Sequence, residues 1–501
     1  MSEKHIKHSG EFKAEKFPYK SLRGFLGDME SRNELAHIKD QIDTRFEVGA
    51  IAKKVANSLH KSPGIYYHNL KDFPDWTLVT NVLSNWNRIF RIIGSTRERV
   101  FEDFAQRTED ISISKQDDYY TIVKGGDFEE LNFEGDNVDI TKIPAPLWSE
   151  FDGGRYLTTG LVMSQNFETG KQNMSIVRLM IQGPNQTGIL ITSRQDIGKN
   201  YLSHKIKDKN MPIAVTIGVD PLMHLSSQIN APRDFSEFAY AGALGGEKVQ
   251  MTRCKNSDLL VPKSAEIVME GEIALDEFQS EGPFGEFHGF YSGRRDLNVF
   301  KINRLAMKED AIYPGMGVGK DPNEGNLLTA FGSNLSFMKY ARTHFSEICG
   351  IRSISGIGFT TVVAVDHKKA YPGIGKAAGH FVWSSPQVAK EAKNIIVVDD
   401  TIDIYSDIDI FWAIGNYVQG NKDISVVEGT PGTILDPSEP WGMGYIEEDK
   451  TLQTTNVTII DATPKYGRYS EGYKRGVVDF PEEVKKRIEE KWSEWGLDKF
   501  V

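Results

Sequence analysis

Glu281-Gly282-Pro283-Phe284-Gly285-Glu286-Phe287-His288-Gly289 places two carboxylates five residues apart, with an imidazole and two aromatic rings beside them. Glycine tolerates positive φ and proline fixes its own, so the backbone here follows a tight, defined path. Such a turn aims two acids into one cleft, the arrangement needed by a proton donor and the group that tunes it. Acids are mostly exposed, so a glutamate pair alone reads as a solvated loop. The rest of the chain decides between the two.

The chain has 501 residues, 39% hydrophobic and 26% charged, an ordinary globular composition. That length predicts two to four domains with enough core to need no covalent staples. Cys254 and Cys349 are the only cysteines, and their spacing fits no zinc or redox motif. A disulfide framework is thereby disfavoured and a reducing compartment favoured. A net charge of −11 leaves no basic footprint for nucleic acid and disfavours an anionic bilayer. Met1 to Lys16 is polar, and no stretch reaches the length of a membrane span. The expectation is a cytoplasmic protein.

Leu22, Phe25, Leu26 and Met29 recur at helical spacing, predicting a helix over Ser21–Arg32. A second helix is expected over Phe46–Ser58, β-like runs at Gly64–His68 and Thr77–Leu83, and an apolar patch at Arg88–Ile93. A polar stretch, Asp110–Asn137, marks a boundary. Strands are then predicted at Tyr156–Gln165 and Asn173–Gln182, joined by a hairpin turn at Phe167–Gly170. Further runs at Gly188–Ser193, Ile213–Val219, Glu266–Ile273 and Val299–Met307 imply a barrel or sandwich. Asp234–Leu244 reads as a helix with Asp234 and Ser236 as caps. The last third alternates: strand Phe359–Asp366, helix Ser385–Ala392, strand Asn394–Asp399, helix from Asp407, the rhythm of a layered α/β domain. Val484, Ile488, Trp492 and Trp495 share one face of a terminal helix that stops at Gly496; it either caps its own domain or meets another subunit.

Gly315–Lys320 and Gly373–Lys376 have the look of phosphate loops but fail the P-loop pattern, so they read as loops around a pocket. His367 and His380 read as structural or surface groups, and Asp399, Asp400 and Asp403 as a solvated acidic loop. Asn173 and Arg178 lie five apart on one predicted strand, which faces them to opposite sides unless the strand bulges.

Taken together, Asn173 to Arg178, Glu237, and Glu281 to His288 have the order and spacing of the UbiD family of decarboxylases, which use prenylated FMN. The resemblance spans nearly the whole chain, through Ser21–Leu26, Ile143–Pro146, Asp258–Pro262, Ile395–Asp400 and Phe411–Ile414. Lys368–Gly379 and Gln419–Asp436 are closer to the branch acting on hydroxybenzoates and related aromatic acids. It implies a multi-domain α/β protein: a mixed α/β domain over 1–120, a split β-barrel binding the flavin over 121–315, and an α/β domain over 316–501 with an oligomerisation helix.

The resemblance further implies that Arg178, Glu281 and Glu286 form a Glu–Arg–Glu network. Arg178 would anchor a substrate carboxylate, Glu286 would deliver the proton that replaces CO₂, and Glu281 would tune that acid and position Arg178. His288 would either line the pocket or make an ordinary hydrogen bond. Asn173, Ser175, Ile176, Arg178, Gln195 and Glu237 would surround the cofactor. Asn173 and Glu237 match two ligands of a divalent ion, usually manganese, which bridges to the flavin phosphate; potassium is a further candidate ion. The third ligand in the family is histidine, which Thr192–Asp196 lacks, and Gln195 is the aligned residue. The implied reaction is reversible decarboxylation of an aromatic or α,β-unsaturated acid by a homo-oligomer (dimer or hexamer), with a flavin prenyltransferase supplying the cofactor. The alternatives are a subunit of a multi-component aryl carboxylase and a flavin-binding scaffold without turnover.

Overall fold

The computed structural model describes residues 5, 7–57, 62–192, 195–232, 235–320, 322–354, 359–385, 392–432, 435–439, 454–465 and 480–497. The opening helix spans Leu22–Ser31 and buries Leu22, Phe25, Leu26 and Met29. The Ser21 side chain accepts from the Gly24 amide, a cap of the kind worth about 1 kcal/mol. The second helix is Glu47–Ala56; Ser58 lies outside the described residues. The patch at Arg88–Ile93 belongs to a helix, Trp86–Ile93, capped by Asn85 and closed by Gly94 in the left-handed region. Strands Leu35–Ile42, Gly64–Leu70 and Thr77–Thr80 form the first sheet. Its fourth strand, Ile312–Pro314, arrives parallel to Thr77–Thr80 from far along the chain, so the central region is stitched back to the first.

The central sheet shows why the predicted long strands had to break. Tyr156–Gln165 is two strands, Tyr156–Leu157 and Leu161–Gln165, and Asn173–Gln182 is Gln172–Ile176 and Leu179–Gly183. The first and last pieces pair with each other (Tyr156 with Met180), as do the middle pieces (Leu161 with Ile176). These two pairs occupy opposite ends of one sheet whose body is Gln186–Ile189, Arg295–Met307, Ile267–Glu281 and Met211–Ile217. The chain crosses the gap twice, and the Val177 amide bonds the Gly160 carbonyl across it at 3.4 Å. The sheet therefore wraps into a barrel that is split at this point. Arg178 lies in the split, not on one strand with Asn173, so strand alternation does not govern where the two side chains point.

The turn between Leu161–Gln165 and Gln172–Ile176 is the expected hairpin. The helix expected at Asp234–Leu244 starts later, at Phe238–Gly245, with no side-chain cap. Ser236 instead donates its hydroxyl to the Gln172 carbonyl at 2.7 Å, and Asp234 lies outside the described residues.

A third sheet runs Ile348–Ile354, Thr360–Val365, Asn394–Asp399, Thr454–Asp461, Ile424–Pro431. Asn394–Asp399 sits at its centre, parallel to both neighbours, and its Ile and Val side chains are buried on both faces, as a central parallel strand requires. Helices Glu324–His344 and Ile374–Ser384 cover one face and Asp407–Tyr417 the other. Ile374–Ser384 starts in the Gly373–Lys376 stretch, which is a helix start rather than a pocket loop. The helix expected at Ser385–Ala392 does not begin at Ser385, which ends the preceding helix in an extended conformation; residues 386–391 lie outside the described residues. The terminal helix, Glu482–Lys491, buries none of its residues.

Candidate active site

The acid motif begins where the long strand Ile267–Glu281 ends and turns into a short hairpin, Phe284–Gly285 against Tyr291–Ser292. Gly282 has φ +93°, a conformation that side chains resist. The turn Ser149–Gly154 holds this loop from outside the barrel. Asp152 accepts from the Ser149 amide at 2.9 Å and the Gly285 amide at 2.8 Å. The Gly153 amide bonds the Pro283 carbonyl at 2.7 Å, and the Tyr156 hydroxyl donates to the same carbonyl at 3.2 Å. A β-carbon on Gly153 would stand 2.1 Å from the Gly282 carbonyl oxygen, so only glycine allows this approach.

Strand end and barrel split bring the three predicted groups together. Arg178 Nη2 lies 3.3 Å from Glu281 Oε2, and Arg178 Nη1 contacts Glu286 Oε1. All three side chains are nearly buried, and the guanidinium sits 4.9 Å over the Phe284 ring. Burial works against the charge of Arg178, but Glu286 and then Glu281 outweigh it and raise its pKa. Asp152 is a third carboxylate at this site. Burial pushes it up to about 6; the Gly285 and Ser149 amides and Arg178 pull against that, and Glu286 adds to it. Beside them, burial and the charge of Glu281 raise the Tyr156 phenol. Sequence reading missed Asp152; the Asp-Gly-Gly turn signal at 152–154 was its only local mark.

A cavity of about 590 Å³ opens beside Glu286, lined also by Trp148, Phe290, Tyr291 and Glu324. Gly317–Lys320 forms part of its wall, as expected of a pocket loop. His288 is buried at the far side of the loop, and its pKa is lowered chiefly by that burial. Phe359 of the C-terminal sheet packs edge-on against Phe287 (5.6 Å) and His288 (6.0 Å), and Leu435 and Asp436 also act on the imidazole.

A second cluster forms at the other end of Gln172–Ile176. Glu237 accepts from Asn173 Nδ2 at 2.9 Å and from the Met174 amide at 2.7 Å. It is buried, and that burial pushes its pKa up to about 8. Asn173 Oδ1 and Ser175 Oγ are buried without a hydrogen-bond partner among the described residues. Buried oxygens that lack a donor, beside a carboxylate with no ion pair among the described residues, fit a divalent ion. Ile176, half-buried, follows on the same strand toward Arg178. Gln195 caps the helix Asp196–Lys205, is exposed, and has its Oε1 engaged by the Thr192 hydroxyl at 3.0 Å. His380 is exposed, and His367 is an exposed partner of Asp400. Asp399 is buried rather than solvated, capping Thr401.

Comparison with known proteins bears on this geometry. Three successive segments match family models for 3-octaprenyl-4-hydroxybenzoate carboxy-lyase: its N-terminal domain at 26–108, its Rift-related domain at 121–321 and its C-terminal domain at 327–462. The chain is 26% identical to phenolic acid decarboxylase of Bacillus subtilis, over 92% of this chain and 96% of that one. Vanillic acid decarboxylase of Sedimentibacter hydroxybenzoicus, in its open form, superposes with a TM-score of 0.83 at 25% identity, covering 95% of this chain and 99% of that one. The UbiD-class enzyme HmfF from Pelotomaculum thermopropionicum has the same fold, with a TM-score of 0.81 at 22% identity over 93% and 98% of the two chains. No helix among the described residues is long and apolar enough to cross a membrane. Matched from its first sheet through the split barrel to its last, the chain belongs to the UbiD family of carboxy-lyases.

Proposed function

We propose that this carboxy-lyase removes CO₂ reversibly from an aromatic acid, with prenylated FMN seated along Gln172–Ile176 and a divalent ion at Asn173 and Glu237. The arrangement that carries the reading is Arg178 held between Glu281 and Glu286 at the mouth of the barrel. Relatives named for phenolic and vanillic acids support an aromatic substrate, and a relative described in complex with FMN supports the flavin. When bound, prenylated FMN supplies the electron sink for the departing carboxylate.

Arg178 presents two parallel donors to the substrate carboxylate and holds it against the ring-bearing cleft. As the carbon–carboxylate bond breaks, its electron pair stays with the carbon and CO₂ leaves. Once the substrate carboxylate has taken its place on Arg178, Glu286 takes up a proton from solvent through the cavity and gives it to that carbon, forming the C–H bond. Glu281 holds the other side of Arg178, and Phe284 keeps water from the guanidinium face. The proton donor thus stands within reach of the carboxylate anchor before substrate arrives, which saves reorganisation during the step.

The test is anaerobic production with and without a flavin prenyltransferase, followed by absorption spectra and CO₂ release from phenolic, vanillic and dihydroxybenzoic acids. Release that depends on the prenyltransferase is expected. A flavin spectrum with no turnover across the panel would instead identify a flavin-binding scaffold.

A further inference from the structure

We infer that Asp196, not Gln195, completes the cation site, giving it an all-oxygen, doubly carboxylate ligand set of Asp196, Glu237, Asn173 Oδ1 and Ser175 Oγ. This rests on the flavin and metal reading above and concerns a residue at which this chain departs from the histidine its family resemblance implies. The helix Asp196–Lys205 lies across one face of the Leu161–Gln165 and Gln172–Ile176 hairpin. Asn200 Nδ2 donates to Ser164 Oγ at 3.0 Å, and His204 Nε2 lies 3.2 Å from the Gln165 carbonyl. Ser164 is paired with Asn173 and Val162 with Ser175, and directly paired residues share a face of the sheet. Asn173 and Ser175, two apart, therefore present their side chains to this helix.

The direction of the helix then places Asp196. His204 and Asn200 step along the strand away from the hairpin turn, and Asp196 is one further turn on the same side, since residues four apart lie one above the other. That step carries it toward Ser175. Asn173, only 9% exposed, has its Oδ1 unpartnered, and so has Ser175 its Oγ. Gln195 points its carbonyl oxygen elsewhere, to Thr192. A cation near it among the described residues is Lys199, whose Nζ lies 2.6 Å from Asp196 Oδ1; it is a competitor for Asp196, not part of the ligand set.

Replacing an imidazole by a carboxylate hardens the site and adds negative charge. Hard cations such as Mn²⁺ and Mg²⁺ gain relative to Zn²⁺, Co²⁺ and Ni²⁺, which draw more from nitrogen ligands. The experiment is titration of metal-free protein with Mn²⁺, followed by the loss of the free-ion EPR signal, with and without unprenylated FMN. FMN binding is read separately by fluorescence quenching, and folding by circular dichroism. Wild type is expected to bind one Mn²⁺ per chain. Asp196→Ala should weaken it at least about 10-fold, Gln195→Ala should match wild type, and Lys199→Ala should bind no more weakly. Asp196→His should narrow the preference for Mn²⁺ over Zn²⁺. The assignment is overturned if Gln195→Ala loses the ion while Asp196→Ala keeps it, or if Lys199→Ala loses as much as Asp196→Ala. Absence of Mn²⁺ binding by a wild type that still binds FMN also overturns it. Failure to bind FMN with Mn²⁺ affinity following Asp196 would instead sink the flavin reading and leave the ion site standing.

Discussion

At the residue scale, one guanidinium is paired with Glu281 and Glu286 and has Asp152 nearby, and substitution separates the roles proposed for them. Glu286→Gln removes the transferable proton while keeping size and a hydrogen-bonding oxygen. CO₂ release should fall by at least about 10²-fold, with flavin absorption retained; wild-type turnover in that variant would dismiss Glu286 as the acid. Asp152 titrates near 6, above its ordinary value because it is buried. As pH rises through 6 it adds a negative charge beside Arg178 and Glu286, which repels an incoming carboxylate. KM for an aromatic acid should therefore climb across pH 5–7, and Asp152→Asn should flatten that climb. An unchanged KM profile in the variant would remove Asp152 from the electrostatics of the site. Legibility differed sharply among these acids. Glu281 and Glu286 stood out because they share one local motif. Asp152 did not, since its importance arises from a contact made across 133 residues, to the Gly285 amide.

At the scale of elements, the acid loop is held by the turn Ser149–Gly154 as well as by its own hairpin. Gly153→Ala would push a methyl group into the Gly282 carbonyl at 2.1 Å. Backbone cannot yield there cheaply, so the loop should shift and activity fall by about 10-fold or more, with circular dichroism unchanged. Full activity would show that the clasp is not needed. Glu324, the first residue of its helix, is buried and accepts from the Leu83 amide at 2.7 Å. Burial raises its pKa to about 7. A raised carboxyl favours folding in its protonated form, so stability is full below about 4.5 and lost as pH climbs through 7. The loss is at most about 3 kcal/mol. Glu324→Gln should match wild type in melting temperature at pH 4.5 and exceed it at pH 8; equal melting at both would refute this. The same scale explains which elements were readable. Asn394–Asp399 announces itself through consecutive β-branched residues, and Leu22–Ser31 through its apolar stripe and serine cap. The breaks at 158–160 and 177–178 carry no such mark, because closing the barrel depends on strands far along the chain. Ile374–Ser384 was hidden by glycines, of which Gly375 and Gly379 are there for close packing against Asp461 and Ile459.

At the scale of the whole molecule, apolar surface collects near the end of the chain. Ile408 and Phe411 are 80% and 73% exposed on Asp407–Tyr417, and Trp492 and Trp495 follow a helix that buries nothing. Tryptophan-bearing surfaces of this kind favour association. Deleting 481–501 should lower the mass seen by light scattering to that of one chain, while the remaining protein keeps its circular dichroism. A wild type that is itself a single chain at micromolar concentration would end the role of this helix in assembly. The barrel supplies Arg178, Glu281 and Glu286, whereas Phe359, Leu435 and Asp436 act on His288 from segments next to the strands of the last sheet. The acid network and the packing on its loop thus come from distant segments of the chain, so a change at Phe359 is carried to the Glu286 loop through Phe287 and His288.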